Sequence, residues 1–166
     1  EAEQRYKEAL QGYREVLGPR HPSTLTSLNN LAQLYRAQLR YGEAEPLSKE
    51  VMQGCREVLG PRHPATLQSL NDLAFLYDSQ GRYSEAEPLY EEALRGRREV
   101  LGPRHPSTLL SLNNLAALYD SLYRYSEAEQ RYKEALQGYR EVLGAHHPDT
   151  LRSLNNLAAL YQAQGR

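Results

Sequence analysis

Along Ser27-Leu28-Asn29-Asn30-Leu31-Ala32-Gln33-Leu34-Tyr35 the apolar side chains recur three and four residues apart. Leu25, Leu28, Leu31, Ala32 and Tyr35 therefore share one face of an α-helix, and the alternation of a strand is absent. The stretch returns at Ser69 to Tyr77, Ser111 to Tyr119 and Ser153 to Tyr161, each copy 42 residues after the last. One amphipathic helix cannot bury its own stripe, so a copied one has to be covered by its neighbours. The pattern predicts a helical repeat array.

The chain falls into repeat units 1–42, 43–84, 85–126 and 127–166, the last two residues short of the others. Each opens on Glu-Ala-Glu and continues as a helix to Gly18, Gly60, Gly102 or Gly144, where glycine suits the left-handed position behind a helix. Ser84-Glu85-Ala86-Glu87 and Ser126-Glu127-Ala128-Glu129 read as capping boxes, with Pro46 and Pro88 in the first turn, where a missing donor matters least. A connector such as Gly18-Pro19-Arg20-His21-Pro22 follows. Pro22, Pro64, Pro106 and Pro148 suit the first residue of the next helix, because their φ is already helical. That helix runs to Gln38 or its counterpart and turns through a sequence like Gly81-Arg82-Tyr83. The expected fold is all-α: about eight antiparallel helices of roughly 17 residues, each about 25 Å long, joined by short turns. Complete helix pairs would span about 22–59, 64–101 and 106–143 in a single array over 1–166. Gly12, Gly54, Gly96 and Gly138 sit in mid-helix in every copy, at about 1 kcal/mol each relative to Ala. Either a neighbouring helix approaches closely there or duplication has simply carried the residue along.

Charge narrows the function. Charged residues make up 25% of the chain and the formal net charge is −1, with both signs interleaved. That balance offers no field to hold nucleic acid or an anionic membrane, so neither is an expected partner. No apolar run reaches 18 residues and no signal peptide is visible. The chain starts at Glu1 without a methionine, so an upstream segment or an engineered start is open. Cys55 is the only cysteine; it has no disulfide partner within the chain, and a reducing, cytoplasmic location is expected. Its counterparts are Tyr13, Arg97 and Tyr139, so it reads as a substitution on a helix surface. His21, His63, His105 and His147 recur once per unit, too far apart to ligate one metal ion, and suit helix capping or turn packing. Paired glutamates such as Glu1 and Glu3 favour the positive ends of helices. No phosphate loop, activated nucleophile or metal-ligand cluster is visible. Neither an enzyme nor a cofactor is expected.

Leu28, Leu31, Ala32 and Tyr35 in one helix, and Tyr83, Ala86, Tyr90 and Ala93 in the next, resemble the two helix signatures of the tetratricopeptide repeat. The 42-residue period, with Val-Leu-Gly-x-x-His-Pro and Ser-Leu-Asn-Asn-Leu-Ala, is similar to the repeats of kinesin light chain and of many bacterial scaffold proteins. The resemblance covers essentially the whole chain. It implies a right-handed superhelical α-solenoid of antiparallel helix pairs, whose first helices line a concave groove for a peptide or partner helix. The groove positions it implies are Thr26, Asn29, Asn30, Gln33 and Arg36, then Gln68, Asn71, Asp72, Phe75 and Asp78. Leu110, Asn113, Asn114, Ala117 and Asp120 follow, then Arg152, Asn155, Asn156, Ala159 and Gln162. An asparagine amide both donates to and accepts from an extended backbone. Consecutive residues point about 100° apart, so one Asn of each pair should face the groove and the other should tie helices together. With Asp72, Asp78 and Asp120 in the middle, the groove should prefer a segment with central Lys or Arg, not a carboxylate. Phe75, the only phenylalanine, is either an anchor for that segment or packed on a neighbouring helix.

Departures from the repeat single out further positions. Leu39 and Tyr123 stand where Gly81 and Gly165 mark the turn, and Leu122 replaces a glutamine; the three are either drift or an edge contact patch. Ser48, Val51 and Met52 replace the Tyr, Ala and Leu of other copies, so the second layer should be packed differently. The leading functional reading is a non-catalytic interaction scaffold with a protein or peptide ligand. The alternative is a self-associating structural or engineered building block. Helix 1–17 lacks a preceding partner and helix 148–164 a following one, and the two vacancies match. Head-to-tail association of copies is therefore expected.

Overall fold

A computed structural model describes residues 1–166. It contains eight α-helices and no strand, in two compact units, Glu1–Arg82 and Tyr83–Arg166. The first unit holds α1 (Ala2–Leu17), α2 (Pro22–Ala37), α3 (Tyr41–Leu59) and α4 (Pro64–Ser79). The second holds α5 (Tyr83–Leu101), α6 (Pro106–Ser121), α7 (Tyr125–Leu143) and α8 (Pro148–Ala163). The division falls between α4 and α5, inside the middle one of the three expected helix pairs.

In each unit every helix packs on the one that follows it. Tyr35, late in α2, donates to Glu3 at the start of α1, and Gly54, late in α3, lies against Leu25 early in α2. Successive helices are therefore antiparallel. The stripe found in the sequence becomes the core: Leu25, Leu28, Leu31, Ala32 and Tyr35 are buried in α2, as are Leu109, Leu112, Leu115, Ala116 and Tyr119 in α6. Each fully buried leucine contributes about 1.5–3 kcal/mol relative to an exposed one.

The joints between the helices are built alike. Pro22, Pro64, Pro106 and Pro148 each open a helix. The histidine before each is the N-cap, its Nδ1 accepting the backbone N–H two residues on at 3.1–3.2 Å. These histidines cap the helices, as expected of residues at that position. Thr24, Thr66, Thr108 and Thr150, all buried, donate back to the carbonyls of Gly18, Gly60, Gly102 and Gly144 at 2.8–2.9 Å. Those glycines have φ of 86–89° with ψ near 165°, a region that residues with a Cβ do not enter.

The capping boxes do not form. α5 and α7 begin at Tyr83 and Tyr125, ahead of Ser84 and Ser126. At α7 the N-cap is Arg124, which makes no side-chain cap bond. Its guanidinium takes Glu127 at 2.6 Å, as Arg40 takes Glu43, and the glutamate three residues after Ser126, Glu129, is held by Lys133 at 2.6 Å and Arg166 at 2.8 Å, away from a serine N–H. The earlier start also places Pro46 and Pro88 inside their helices, beyond the first turn.

These arginines form a repeated latch. Arg40 lies 4.3 Å over the Tyr35 ring and bonds Glu3 of α1 at 2.6 Å. Arg82 does the same with Tyr77 and Glu45, Arg124 with Tyr119 and Glu87, and Arg166 with Tyr161 and Glu129. Arg40, with help from Lys7, holds the Glu3 carboxyl down at about 2, and Arg82 does so for Glu45. At Glu129 the larger influence is Lys133, with Arg166 second. Burial, with Glu91 nearby, pushes the Tyr119 hydroxyl up to about 12.

Two local features test the packing. A Cβ on Gly54 would stand 2.6 Å from Leu25 Cδ2 and one on Gly138 2.4 Å from Leu109 Cδ2, whereas Gly12 meets nothing within 4 Å. Leu39 and Tyr123 occupy the left-handed region at φ 59° and 58°, where Gly81 sits at 71°. In thermal denaturation followed by circular dichroism, Gly12→Ala should stabilise by up to ~1 kcal/mol. Leu39→Gly and Tyr123→Gly should each stabilise by ~1 kcal/mol through release of strain. Gly138→Ala should destabilise by ~1–3 kcal/mol through overpacking. Gly54→Ala should cost less, since Leu25 borders a cavity into which it can shift. A Gly138→Ala variant as stable as Gly12→Ala would refute the close approach.

The latches set a pH dependence. Carboxyls lowered from 4.5 to about 2 in the fold stabilise it fully above pH 4.5 and lose that contribution as pH falls towards 2. The melting temperature should decline across that window. Glu45→Gln should lower it at pH 7 and make the decline shallower.

Candidate functional site

In the first unit the expected binding residues lie on α2 and α4. Thr26, Asn30, Gln33, Gln68 and Phe75 are exposed, and Asn29, Arg36, Asp72 and Asp78 are half-buried. Arg36 spans the two helices, its guanidinium 4.7 Å over the Phe75 ring, and Gln68 donates to Asp72 at 2.8 Å within α4. Phe75 keeps 41% of its surface in this arrangement, so it is stacked by its neighbour and presented at once.

In the second unit the corresponding residues lie on α6 and α8. Leu110, Ala117, Arg152, Asn155, Ala159 and Gln162 are exposed; Asn114, Asp120 and Asn156 are half-buried. Arg152 pairs with Asp149 one turn before it at 2.8 Å. Two of the expected groove residues are not on the surface. Asn71 and Asn113 are buried, and Asn113 Oδ1 accepts from Ser153 Oγ at 3.2 Å, tying α6 to α8. The first Asn of these pairs is structural because it shares the inward side of the helix with the leucine stripe, whereas the residue after it turns out by about 100°.

Of the edge residues, Leu39 and Tyr123 are exposed and Leu122 is half-buried; Tyr123 meets Tyr125 edge to face at 6.0 Å. The structure contains no group of three or more His, Cys, Asp or Glu placed to hold a metal ion. No helix is long and apolar enough to cross a membrane.

Cys55 is not on the surface. It is buried, as are its counterparts Arg97 and Tyr139, because a long stem or a ring can fold inwards at this position as well as out. Burial pushes the Cys55 thiol up, with Ser69 beside it pulling the other way. Around it α2, α3 and α4 leave a half-open cavity of about 200 Å³. Its walls are Pro22, Leu25, Thr26 and Asn29 of α2, Val51, Cys55 and Leu59 of α3, and Ala65, Gln68, Ser69 and Asp72 of α4. Four of these (Thr26, Asn29, Gln68 and Asp72) also belong to the binding face. Ser48, where other copies have tyrosine, borders a second hollow of only about 10 Å³. The layer carrying Ser48 and Val51 thus has room in it. Its cavity was signalled by the residue types, Cys against Arg and Tyr, but not by any motif.

The tetratricopeptide repeat family model matches residues 1–53, 30–99, 80–141 and 124–166. The crystal structure of kinesin light chain-type, nearly identical TPR-like repeats from Podosopora anserina is similar, with a TM-score of 0.86 and 30% identity over 99% of this chain and 77% of that one. BtubC (BKLC) from P. vanneervenii gives a TM-score of 0.87 at 25% identity, over 99% of this chain and 65% of that one. The apo form of RapI, 17% identical with a TM-score of 0.81 over 99% of this chain and 44% of its own, shares the fold alone. Among curated proteins none matches. A helix stripe copied every 42 residues, antiparallel pairing within each unit and a family match over the full length lead to one assignment: the chain belongs to the tetratricopeptide repeat family.

Proposed function

We propose that the chain is a non-catalytic scaffold that holds an extended segment or a helix of a protein partner. The seat is the α2–α4 face of the first unit and, separately, the α6–α8 face of the second. The tetratricopeptide repeat fold is typically a protein-interaction scaffold, and its members are generally non-catalytic. The observation that carries the reading is the character of the α2–α4 face. Amide side chains that suit any backbone, Asn29, Asn30, Gln33 and Gln68, surround one presented aromatic, Phe75, on helices held rigid by the latches. A cytoplasmic location belongs to the same proposal, as does an edge contact through Leu39, Leu122 and Tyr123.

Asp72 and Asp78 on α4 are acidic, and the one cation of the α2–α4 face, Arg36, is engaged with Phe75. A segment with central Lys or Arg should therefore bind about fivefold more tightly than the same segment with central Glu. The gap should close as salt rises. Phe75→Ala should weaken binding by more than ~1 kcal/mol with little change in melting temperature. Fluorescence anisotropy with paired peptides measures both. Equal affinities for the two peptides would remove the electrostatic part, and unchanged binding with a large loss of stability would make Phe75 a packing residue.

Association of copies is a second reading. On α1 only Leu10 is buried while Tyr6, Tyr13 and Val16 are exposed, and on α8 Leu151 and Leu154 are exposed. Docking α8 of one copy on α1 of another would cover both sets. Light scattering over a dilution series should then give a molar mass that rises with concentration; a monomer up to millimolar concentration excludes it.

A further inference from the structure

We propose that the cavity between α2, α3 and α4 is a binding pocket for a phenol ring with a cation beside it. The natural donor would be a tyrosine flanked by lysine or arginine. That donor rests on the scaffold reading; the pocket itself does not.

The repeat supplies the argument. Shifted by two periods, 84 residues, Pro22, Asn29, Cys55, Ala65 and Gln68 become Pro106, Asn113, Tyr139, Asp149 and Arg152. In the second unit the Tyr139 ring is buried, its hydroxyl 3.5 Å from the Pro106 carbonyl, and Asn113, Asp149 and Arg152 are the groups that act on it electrostatically. Those four neighbours are the counterparts of four residues that line the cavity around Cys55. The ring of Tyr139 thus stands in the room that is empty in the first unit.

Arg97 fills the corresponding position in its own copy. It is buried and donates to the Ser107 carbonyl at 3.0 Å and to Ser111 Oγ at 2.8 Å. Cys55 has one sulfur where these have a ring or a guanidinium. The neighbouring exchange of Ala135 for Val51 returns two methyl groups, too little to close the gap. Where Ser48 replaces a tyrosine, by contrast, the surroundings have closed in to about 10 Å³.

Size and polarity then select the occupant. An apolar cavity of about 150 Å³ takes benzene, so about 200 Å³ accommodates a phenol. Leu25, Val51, Leu59 and the Cys55 thiol offer apolar walls, while Asn29 and Ser69 can meet a hydroxyl. Asp72 is the one charged residue of the lining. In the second unit its counterpart is Asn156, while Ala65 and Gln68 are replaced by Asp149 and Arg152, which pair with each other at 2.8 Å, so the rim of the empty pocket has shifted from balanced charge to negative. A cation next to the ring fits that rim and a carboxylate does not.

The test titrates the whole chain with tyramine, p-cresol and 3-(4-hydroxyphenyl)propionate, read by two-dimensional amide NMR. Tyramine should give saturable shifts at Asn29, Gln68 and Ser69, bind about fivefold more tightly than p-cresol, and exceed the propionate further. Transferred ring-to-methyl NOEs to Leu25 and Val51 should place the ring in the wild-type protein without recourse to a variant. Cys55→Tyr, which fills the room from within, should raise the melting temperature and abolish the shifts. No saturable shift with any probe, or shifts retained in a folded Cys55→Tyr, overturns the pocket. Equal binding of tyramine and the propionate overturns the cation requirement. Peptide binding without tyramine binding would keep the scaffold reading and remove the pocket, and tyramine binding without peptide binding would do the reverse.

Discussion

A helix with one apolar side has to have that side covered, and the arrangement of this chain follows from the covering. Leu28 and Leu112 lose all contact with solvent only because the next helix in sequence folds back on them. Folding back requires a reversal within a few residues, and the reversal dictates its own chemistry. Glycine takes a backbone conformation closed to other residues, proline starts the new helix with φ already set, and histidine caps it. The buried threonine hydroxyl satisfies the carbonyl that the glycine leaves behind. Apolar burial drives the pairing, and the polar joint determines that it can happen at a 42-residue period.

The latches act on a different term. An exposed ion pair is worth little, about 0–1 kcal/mol, and Glu3 or Glu129 alone would hardly matter. In each latch, however, an arginine in the turn stacks on a tyrosine of the helix that has just ended and bonds a glutamate at the start of the helix before that one. Stacking fixes the guanidinium before it pairs, so less side-chain entropy is lost on pairing. The outcome is a fixed relation between the end of one helix and the beginning of its partner, repeated at Arg40, Arg82, Arg124 and Arg166.

What could be read from the sequence was whatever obeys a period. Helix number, antiparallel joints, capping histidines and the leucine core all follow from residues that recur, and the structure has them in place. The misreadings came where two uses of one residue compete. Ser126 and Glu129 fit a capping box, yet the helix starts ahead of the serine and Lys133 and Arg166 hold the glutamate. Asn71 and Asn113 carry the same amide as their exposed neighbours, and only the rotation of the helix decides which side they serve. Cys55 was taken for a surface residue because its counterparts are Tyr and Arg, residues that are polar at one end. In the fold Arg97 and Tyr139 are buried while Tyr13 is exposed, and composition cannot tell a ring pointing in from one pointing out. The latch arginines were overlooked although they recur in every copy, because their partners lie about 37 residues away and no local spacing reveals them.

Selectivity cannot come from the repeated face itself. In the proposed scaffold, amides at Asn29, Asn30, Gln33 and Gln68 would meet any extended backbone alike, and helices repeated along a chain would hold one sequence as readily as another. Discrimination requires positions where a copy differs and its surroundings have not adjusted. Leu39 and Tyr123 differ and accept backbone strain; Ser48 differs and the hollow beside it is nearly closed. Cys55 differs, keeps its cavity and shares its lining with Asp72 of α4, with Phe75 one turn further along α4. On the proposed reading, an aromatic platform, a carboxylate and an apolar cavity along α4 are where the side chains, and not the backbone, of a partner would be read.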